Sequence, residues 1–201
     1  MDGKVILCDT RQHDGKHENK MGWWARHGVA THVQKLDFGD YMTKGSNISI
    51  DTKRSMSEVA QNCTRDHERF AREMERAAKL GYRLVILIEA GGQYTCVGDV
   101  RKWTNTYCKS CVHKRTKKCN PRELRGKCLK HGTRKPVQGP QLSKIMATME
   151  QKYGARFEFC HSMHSAQRIC ELLGVMYEQD ANGGTQAALD GVQDAPDKAW
   201  D

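Results

Sequence analysis

The most restrictive feature of the sequence is the run YRLVILIEA at residues 82–90, which is apolar almost throughout. A strand with one face in water alternates apolar and polar residues, whereas a strand covered on both faces is apolar without interruption. The run therefore predicts a buried strand in a sheet that carries helices on both faces, as in α/β domains. At 201 residues the chain is long enough for one such domain with an additional excursion, and short for two.

The remaining patterns alternate between strands and helices. Short apolar or alternating stretches predict strands at residues 4–9, 30–36 and 155–160. Apolar residues three or four positions apart predict helices at residues 16–27, 139–154 and 164–174. DYM and NISIDTK are expected to pair as a hairpin across the turn TKGS. Residues 59–77 predict one helix or two, with Thr64 as an N-cap. We therefore expect an α/β fold with a mixed central sheet flanked by helices.

The positive charge is concentrated in one segment. The formal net charge is +9, and residues 109–135 contain eleven Lys or Arg residues against one acidic residue, Glu123. This segment accounts for the whole excess, so the rest of the chain is nearly neutral. A basic block can neutralise phosphates and release counterions from nucleic acid, although a solvated surface has the same composition. The candidate DNA contacts in this block are Lys114, Arg115, Lys117, Lys118, Arg122 and Arg125.

The basic segment also contains a cysteine pattern. Its spacing is Cys108-x2-Cys111-x7-Cys119-x8-Cys128, with His113 and His131 as substitute ligands. A close pair of thiolates and a second pair brought back by the chain can surround a tetrahedral Zn²⁺ ion. The pattern favours a zinc-stabilised insertion at about residues 101–138, and unliganded thiols are the alternative. The cysteines in strand or helix patterns are expected to be buried small apolar residues: Cys8, Cys63, Cys160 and Cys170.

The candidate chemistry lies in the predicted hairpin, within FGDYMTKGSNISIDTK. Asp51 and Lys53 are two residues apart in a strand, so their side chains emerge on one face, and Asp40 can join them across the hairpin. Two carboxylates and a backbone carbonyl, that of Thr52, form an oxygen-rich site suited to Mg²⁺ or Mn²⁺. A lysine beside this site can position the attacking water and balance charge in the transition state. The pattern indicates phosphodiester cleavage, and a surface hairpin with solvated charges is the plain alternative.

Other residues give this pattern its specificity. Asp9 and Arg11 end the first strand in CDTR, and Glu89 ends the apolar strand in LIE. With these elements in order, the sequence resembles the nuclease domain of the XPF family, a branch of the PD-(D/E)XK nucleases, and its phage and prophage versions most closely. The family pattern runs D-x-R, then G-D, then E-R-K, then a strand that ends in an acid. The likeness covers about residues 4–90 well and 139–174 loosely.

The family residues can be transferred only where the motif matches. The matches are Asp9 and Arg11 for D-x-R, Gly39 and Asp40 for G-D, and Asp51, Thr52 and Lys53 for E-R-K, where Asp replaces Glu and Thr replaces Arg. The candidate catalytic residues are then Asp9, Arg11, Asp40, Asp51, Lys53 and Glu89. Glu58 is the nearest candidate for the acid that commonly follows the family's catalytic lysine.

The resemblance implies a restriction-endonuclease-like fold and a metal-dependent DNA endonuclease that leaves 5′-phosphate and 3′-hydroxyl ends. Relatives use tandem helix-hairpin-helix modules to bind DNA and to dimerise, and no such module is evident after residue 174. A preference for flaps, forks or junctions, a homodimeric state, and a role in recombination, repair or phage DNA processing are therefore left open.

Rival functions explain less of the sequence. A non-catalytic zinc-containing nucleic-acid-binding protein accounts for the charge and the cysteines, but not for the placement of Asp9, Asp40, Asp51 and Lys53. A nucleotide-hydrolysing enzyme needs a phosphate loop, and G-x-x-x-x-G-K-[ST] is not found in the sequence.

The ends of the sequence and its hydropathy bear on location and domain limits. No apolar run approaches the roughly 20 residues of a membrane span, and the first residues do not follow a signal-peptide pattern. We expect a cytoplasmic protein without membrane contact. Residues 1–177 are predicted to be a single nuclease domain, and residues 178–201, rich in Gly, Ala, Gln and Asp, a disordered acidic tail.

Overall fold

The computed structural model describes residues 4–11, 17–109, 111–115, 119, 128 and 135–178. The strands are β1 (Ile6–Asp9), β2 (Thr31–Gln34), β3 (Tyr41–Thr43), β4 (Ile48–Lys53), β5 (Arg83–Ile88) and β6 (Arg156–Phe159). The helices are α1 (Glu18–Arg26), α2 (Met56–Thr64), α3 (His67–Lys79), α4 (Thr106–Lys109), α5 (Val112–Arg115), α6 (Gly139–Tyr153) and α7 (Ser165–Leu173). Short 3-10 turns lie at Asp99–Lys102 and Ser162–His164. Each strand and helix predicted from the sequence is present, with its ends shifted by no more than three residues.

The six strands form one mixed sheet in the order β2-β1-β3-β4-β5-β6. β1 is parallel to β2, and β4, β5 and β6 are parallel to one another. β3 joins the two groups because it is antiparallel to both β1 and β4. The prediction of an α/β fold with a mixed central sheet is confirmed.

Helices cover both faces of this sheet, and an apolar core lies on each. We call the two sides the α2–α3–α6 face and the α1–α7 face after the helices that cover them. β5 contributes to both cores because its residues alternate: Ile86 and Ile88 point to the α2–α3–α6 face, and Val85 and Leu87 to the α1–α7 face. This double burial is the reason that residues 82–90 are apolar almost throughout.

The β3–β4 hairpin brings two acidic residues together. Tyr41 pairs with Ile50, and the Asp40 amide donates to the Ile50 carbonyl at 2.6 Å. The turn contains Gly45 at a φ of 80°, a left-handed conformation that glycine adopts without steric cost. Because Tyr41 is opposite Ile50 in this antiparallel pair, the residue before Tyr41 and the residue after Ile50 are also neighbours. These residues are Asp40 and Asp51, at the open end of the hairpin.

The chain after the hairpin forms two helices, α2 and α3. The Ser55 hydroxyl accepts a hydrogen bond from the Glu58 amide at 3.2 Å, and Glu58 Oε2 accepts one from the Arg54 amide at 2.8 Å. The two bonds cap the start of α2 in a variant of the capping box, in which Glu58 reaches back to Arg54 and not to the N-cap residue itself. Thr64 is the last residue of α2 and its hydroxyl donates to the Ala60 carbonyl. The prediction that Thr64 is an N-cap was wrong, since its hydroxyl is satisfied within its own helix.

The segment between β5 and α6 is fastened where it leaves and re-enters the core. The Gly139 amide donates to the Trp103 carbonyl at 3.0 Å, and the Asn105 side-chain amide donates to the Val137 carbonyl at 3.2 Å. Glycine is required at position 139 because a Cβ atom there would lie 2.3 Å from the Val100 carbonyl oxygen. We call this group of contacts the neck. Among the described residues, no helix is long and apolar enough to cross a membrane.

Candidate active site

Asp51 and Lys53 lie side by side at the end of β4, on the α2–α3–α6 face. They are 6% and 8% exposed. Lys53 Nζ donates to Asp51 Oδ1 at 2.8 Å and lies 2.6 Å from Oδ2. It is also 5.5 Å from the centre of the Phe70 ring. Burial alone lowers the pKa of Lys53, but the adjacent Asp51 carboxylate, together with those of Asp40 and Glu58, more than offsets this effect, and the pKa is raised above its ordinary value. Lys53 is therefore a buried cation.

Asp40 is held beside this pair by the backbone and side chain of Thr52. Asp40 Oδ2 accepts hydrogen bonds from the Thr52 amide at 2.8 Å and from the Thr52 hydroxyl at 2.5 Å. Hydrogen bonds to a carboxylate are stronger than those between neutral groups, so they fix the orientation of Asp40. The sequence predicted a role for the Thr52 carbonyl, and the structure adds this positioning role for its amide and hydroxyl.

Asp9 and Arg11 lie next to Asp40 at the end of β1. Asp9 Oδ2 accepts a hydrogen bond from Arg11 Nε at 2.8 Å, and its Oδ1 accepts one from the Leu36 amide at 2.9 Å. Arg11 Nη2 donates to the Leu36 carbonyl, and the Asp9 amide donates to the Asp40 carbonyl. Asp9 is 7% exposed, whereas the Arg11 side chain is 55% exposed. Asp9 therefore anchors Arg11 and the chain before the hairpin, and Arg11 is accessible to a ligand.

These residues line one cleft of about 870 Å³. Its lining from the sheet and its margins is Asp9, Arg11, Gly39, Asp40, Asp51, Lys53 and Glu58. Its lining from α3 is Arg69, Arg72, Glu73, Glu75, Arg76 and Lys79. The structure thus brings together five of the six predicted catalytic residues, together with Glu58.

The donors in this cleft suit a hard divalent cation. Asp51 Oδ2 is buried and accepts no hydrogen bond from a described residue. Its contact with Lys53 Nζ is an ion pair. Mg²⁺ is usually bound by one or two carboxylates and retains several waters, and Asp40 and Asp51 offer such carboxylates. In the part of the chain that the structure describes, no three His, Cys, Asp or Glu side chains are grouped so that they could hold a metal ion. Water and a phosphate oxygen would therefore have to complete the coordination.

Comparison with known proteins gives a structural match and no match in sequence. No protein-family model matches the chain, and neither does any curated protein. XPF from Aeropyrum pernix matches the structure with a TM-score of 0.51 and 18% identity, over 84% of this chain and 63% of that chain. The fold is similar to that of XPF. A second structure, XPF from Aeropyrum pernix in complex with DNA, matches with a TM-score of 0.51 and 18% identity over 85% of this chain and 64% of that chain.

At 18% identity the similarity to XPF concerns the fold, a mixed sheet flanked by helices, and the XPF-like fold predicted from the sequence is confirmed at that level. The chain spans less than two thirds of the length of XPF. The closer likeness to phage and prophage versions stays a prediction.

Glu89, the sixth predicted catalytic residue, is on the α1–α7 face. Its Oε1 lies 2.6 Å from Lys20 Nζ of α1, and the two side chains are 9% and 7% exposed. The cause is the alternation of β5, because Val85 and Leu87 point to this face and Glu89 continues the series. Glu89 is not among the residues that line the cleft within the described chain.

The cysteine pattern is described only at the cysteines and around α4 and α5. Cys108, Cys111 and Cys128 are buried and Cys119 is partly buried. Gln138 Nε2 donates to Cys108 Sγ at 3.3 Å. No zinc-binding group is found among the residues that the structure describes, and much of the segment between these cysteines lies outside them. Structural zinc therefore stays a prediction.

The predicted DNA contacts of the basic segment also lie largely outside the described residues. Lys117, Lys118, Arg122 and Arg125 are among those outside, as is His131. Lys114 and Arg115 belong to α5, for which the structure describes the backbone at these two residues but not their side chains. The predicted tail is outside it from residue 179 onward.

The basic residues of α3 were not recognised as site residues in the sequence. Their positions, 69, 72, 76 and 79, are spaced by three, four and three residues, which places them on one face of α3. That spacing was visible in the sequence. Only the fold shows that this face borders the cleft.

Proposed function

We propose that this protein is a Mg²⁺- or Mn²⁺-dependent endodeoxyribonuclease. The observation that carries the proposal is that Asp40, Asp51 and Lys53 meet in one open cleft of a fold similar to that of XPF. The plain alternative, a surface ion pair, does not account for Asp51 and Lys53, because both are buried and yet line a cleft that a ligand can enter. DNA is proposed as the substrate because one of the similar structures is a complex with DNA.

Each residue of the cleft has a distinct part in the proposed hydrolysis. A divalent ion held by Asp40, Asp51 and the Thr52 carbonyl would supply positive charge at the scissile phosphate and acidify a bound water. The Lys53 ammonium donates hydrogen bonds to the attacking water and to the phosphate oxygen on which negative charge develops. Arg11, anchored by Asp9, contacts the phosphate. The water oxygen bonds to phosphorus as the bond to the 3′ oxygen breaks, and that oxygen takes a proton, which leaves 5′-phosphate and 3′-hydroxyl ends.

Further parts of the proposal concern the rest of the chain. The basic insertion is proposed to bind DNA and to be stabilised by zinc at Cys108, Cys111, Cys119 and Cys128. Metal analysis of the purified protein tests the zinc: about one equivalent is expected in wild type and less in Cys111→Ser. A cytoplasmic location and a homodimeric state belong to the proposal as well, and sedimentation equilibrium tests the second.

The decisive experiment is cleavage of labelled duplex, single-stranded, flap, fork and four-way-junction DNA in the presence of Mg²⁺, Mn²⁺ or EDTA. We expect cleavage only with a metal, and a loss of about a hundredfold or more in Asp51→Asn. Glu171→Gln is the matched control, because this carboxylate lies in α7, outside the cleft, where it pairs with Arg168. Undiminished cleavage by a folded Asp51→Asn variant would refute the proposal. A wild-type protein that binds DNA and cuts none of these substrates would support the non-catalytic interpretation.

A further inference from the structure

The basic residues of α3 form a continuous surface along the cleft. Arg69, Arg72, Arg76 and Lys79 all line it, and we call them the basic stripe. Ten residues of α-helix correspond to about 15 Å. One strand of B-DNA has a phosphate about every 3.4 Å along the helix axis. The basic stripe is therefore long enough to contact several successive phosphates of one strand.

Three of these four side chains have little to do within the protein. Arg69 makes no hydrogen bond or ion pair with any residue that the structure describes. Arg72 Nη1 lies 3.9 Å from Glu68 Oε2, and Lys79 Nζ lies 3.4 Å from Glu75 Oε1, with all four side chains more than half exposed. Exposed pairs of this kind contribute only about 0–1 kcal/mol, so a stronger anion can displace the partner.

The basic stripe is held at a fixed position relative to the candidate catalytic residues. Arg76 Nη2 donates to the Asp37 carbonyl at 2.7 Å, and Glu73 Oε1 accepts a hydrogen bond from the Gly39 amide at 3.3 Å. Both contacts connect α3 to the chain that leads directly into Asp40. On the opposite side of α3, Phe70 is buried in the core beneath Lys53. The helix is thus attached to the site on two sides, and its basic stripe borders the same cleft.

The acidic residues of the cleft do not interrupt this surface. Glu73 accepts a hydrogen bond from the Gly39 amide, and Glu75 forms an ion pair with Lys79. The remaining acids of the cleft, which belong to the sheet and to the start of α2, are Asp9, Asp40, Asp51 and Glu58. Negative charge therefore collects where a metal ion would bind, and positive charge lies along the wall beside it.

We propose that the basic stripe binds the backbone of the DNA strand that is cut, and places one of its phosphates at Asp51 and Lys53. This inference rests on the proposed nuclease function and adds the path of the substrate to it. The contacts are to phosphates alone, so they supply affinity without selecting a base sequence. Arg69, Arg72 and Lys79 are the residues available for this binding, and Arg76 also maintains the position of α3.

The experiment measures the binding of a labelled DNA duplex at several salt concentrations in EDTA, so that no cleavage occurs. The test variant is Arg69→Ala/Arg72→Ala/Lys79→Ala in the full chain. Each lost phosphate contact removes about 0.9 from the slope of log affinity against log salt. We expect the slope to fall by about two to three and the affinity at 0.1 M salt to fall about ten- to a hundredfold. The charge-preserving variant Arg69→Lys/Arg72→Lys/Lys79→Arg should keep most of both.

The control is a triple substitution of basic residues that are likewise exposed and do not line the cleft, Lys4→Ala/Arg26→Ala/Lys44→Ala, which should leave the slope almost unchanged. Circular dichroism checks that the stripe variant is folded. If the folded variant binds DNA with the wild-type slope, the basic stripe is not a DNA contact. Cleavage of DNA by the wild-type protein in a parallel assay would then leave the nuclease proposal intact. An equal loss in the control variant would likewise overturn the inference, because it would show a general charge effect. If the wild type neither binds nor cuts DNA, the proposed function fails, and the inference with it.

Discussion

Two buried lysine–acid pairs lie at the same end of the sheet, on its two faces. Lys53 and Asp51 are on the α2–α3–α6 face, with Nζ 2.6 Å from a carboxylate oxygen, and Lys20 and Glu89 are on the α1–α7 face at the same separation. Their chemistry and burial are nearly the same. The first pair lines a cleft of about 870 Å³ and the second does not. The comparison teaches that a buried ion pair indicates function only where a ligand can reach it.

The largest effect that would sharpen this comparison is on catalysis. Lys53→Met removes the ammonium group from the cleft, and we expect the cleavage rate to fall about a hundred- to a thousandfold. Lys20→Met should keep the rate per folded molecule within a few fold of wild type, because Lys20 does not line the cleft. The measurement is single-turnover cleavage, normalised to the folded fraction. Equal losses in the two variants would show that the distinction between the pairs is wrong.

The second prediction concerns stability and has the opposite order. Lys20→Met leaves Glu89 buried beside an apolar side chain, and removal of one partner of a buried pair costs about 3–5 kcal/mol. Lys53→Met should cost less, because water in the cleft can solvate Asp51. The free energy of unfolding from urea titration tests both. Addition of Glu89→Leu to Lys20→Met should recover most of the loss, and a failure to do so would mean that helix packing, not charge, is responsible.

The third prediction compares two threonines of the hairpin. Thr52→Val removes the hydroxyl that donates to Asp40, and we expect a fall of about tenfold in cleavage with a loss of about 1 kcal/mol in the free energy of unfolding. Thr43 is the matched control because its buried hydroxyl has no hydrogen-bond partner among the described residues. Thr43→Val should therefore be neutral or slightly stabilising, and should not change the rate. A loss of activity in both variants would contradict the positioning role of Thr52.

The smallest effect concerns the cores on the two faces. Burial raises the pKa of Cys63, on the α2–α3–α6 face, from 9.0 to about 12, and that of Cys170, on the α1–α7 face, to about 11. Because the folded state favours the neutral thiols, their contribution to stability is complete below pH 9 and is lost as the pH rises through the folded-state pKa values.

Substitution of these thiols tests the effect. The free energy of unfolding of the wild type should fall between pH 8 and pH 10. In Cys63→Ala and in Cys170→Ala this fall should be smaller by about 1 kcal/mol. Cys96 is exposed, and Cys96→Ala serves as the control with the wild-type loss. If the pH-dependent loss becomes smaller for only one of these two variants, the apolar cores on the two faces differ.

The fold was predictable where the information is local. The alternation in NISIDTK and the turn at Gly45 determine the hairpin, and the hairpin alone brings Asp40 to Asp51. The uninterrupted apolar run at residues 82–90 determines a strand between two layers of helices. Expectations of this kind need only the period of a strand or helix and the chemistry of a tight turn.

The parts that were missed depend on the pairing of distant segments. β4 and β5 pair with Asp51 opposite Ile86 and Lys53 opposite Ile88, so Ile88 shares the face of Lys53 and Glu89 takes the other. The sequence contains the order of these strands but not their register, and a shift of one residue would have placed Glu89 in the cleft. The basic stripe was missed for a similar reason. The spacing of its residues can be read from the sequence, but their position beside the cleft depends on how distant segments pack.

The neck at Gly139, Trp103 and Asn105 has a consequence for how such a chain can change over time. At the neck the two described ends of the excursion meet: the Gly139 amide donates to the Trp103 carbonyl at 3.0 Å and the Asn105 side-chain amide donates to the Val137 carbonyl at 3.2 Å. A segment whose two ends meet in this way can change in length and composition without altering the strands on either side. Descendants of this chain could therefore exchange this segment for another and keep the sheet and the cleft unchanged.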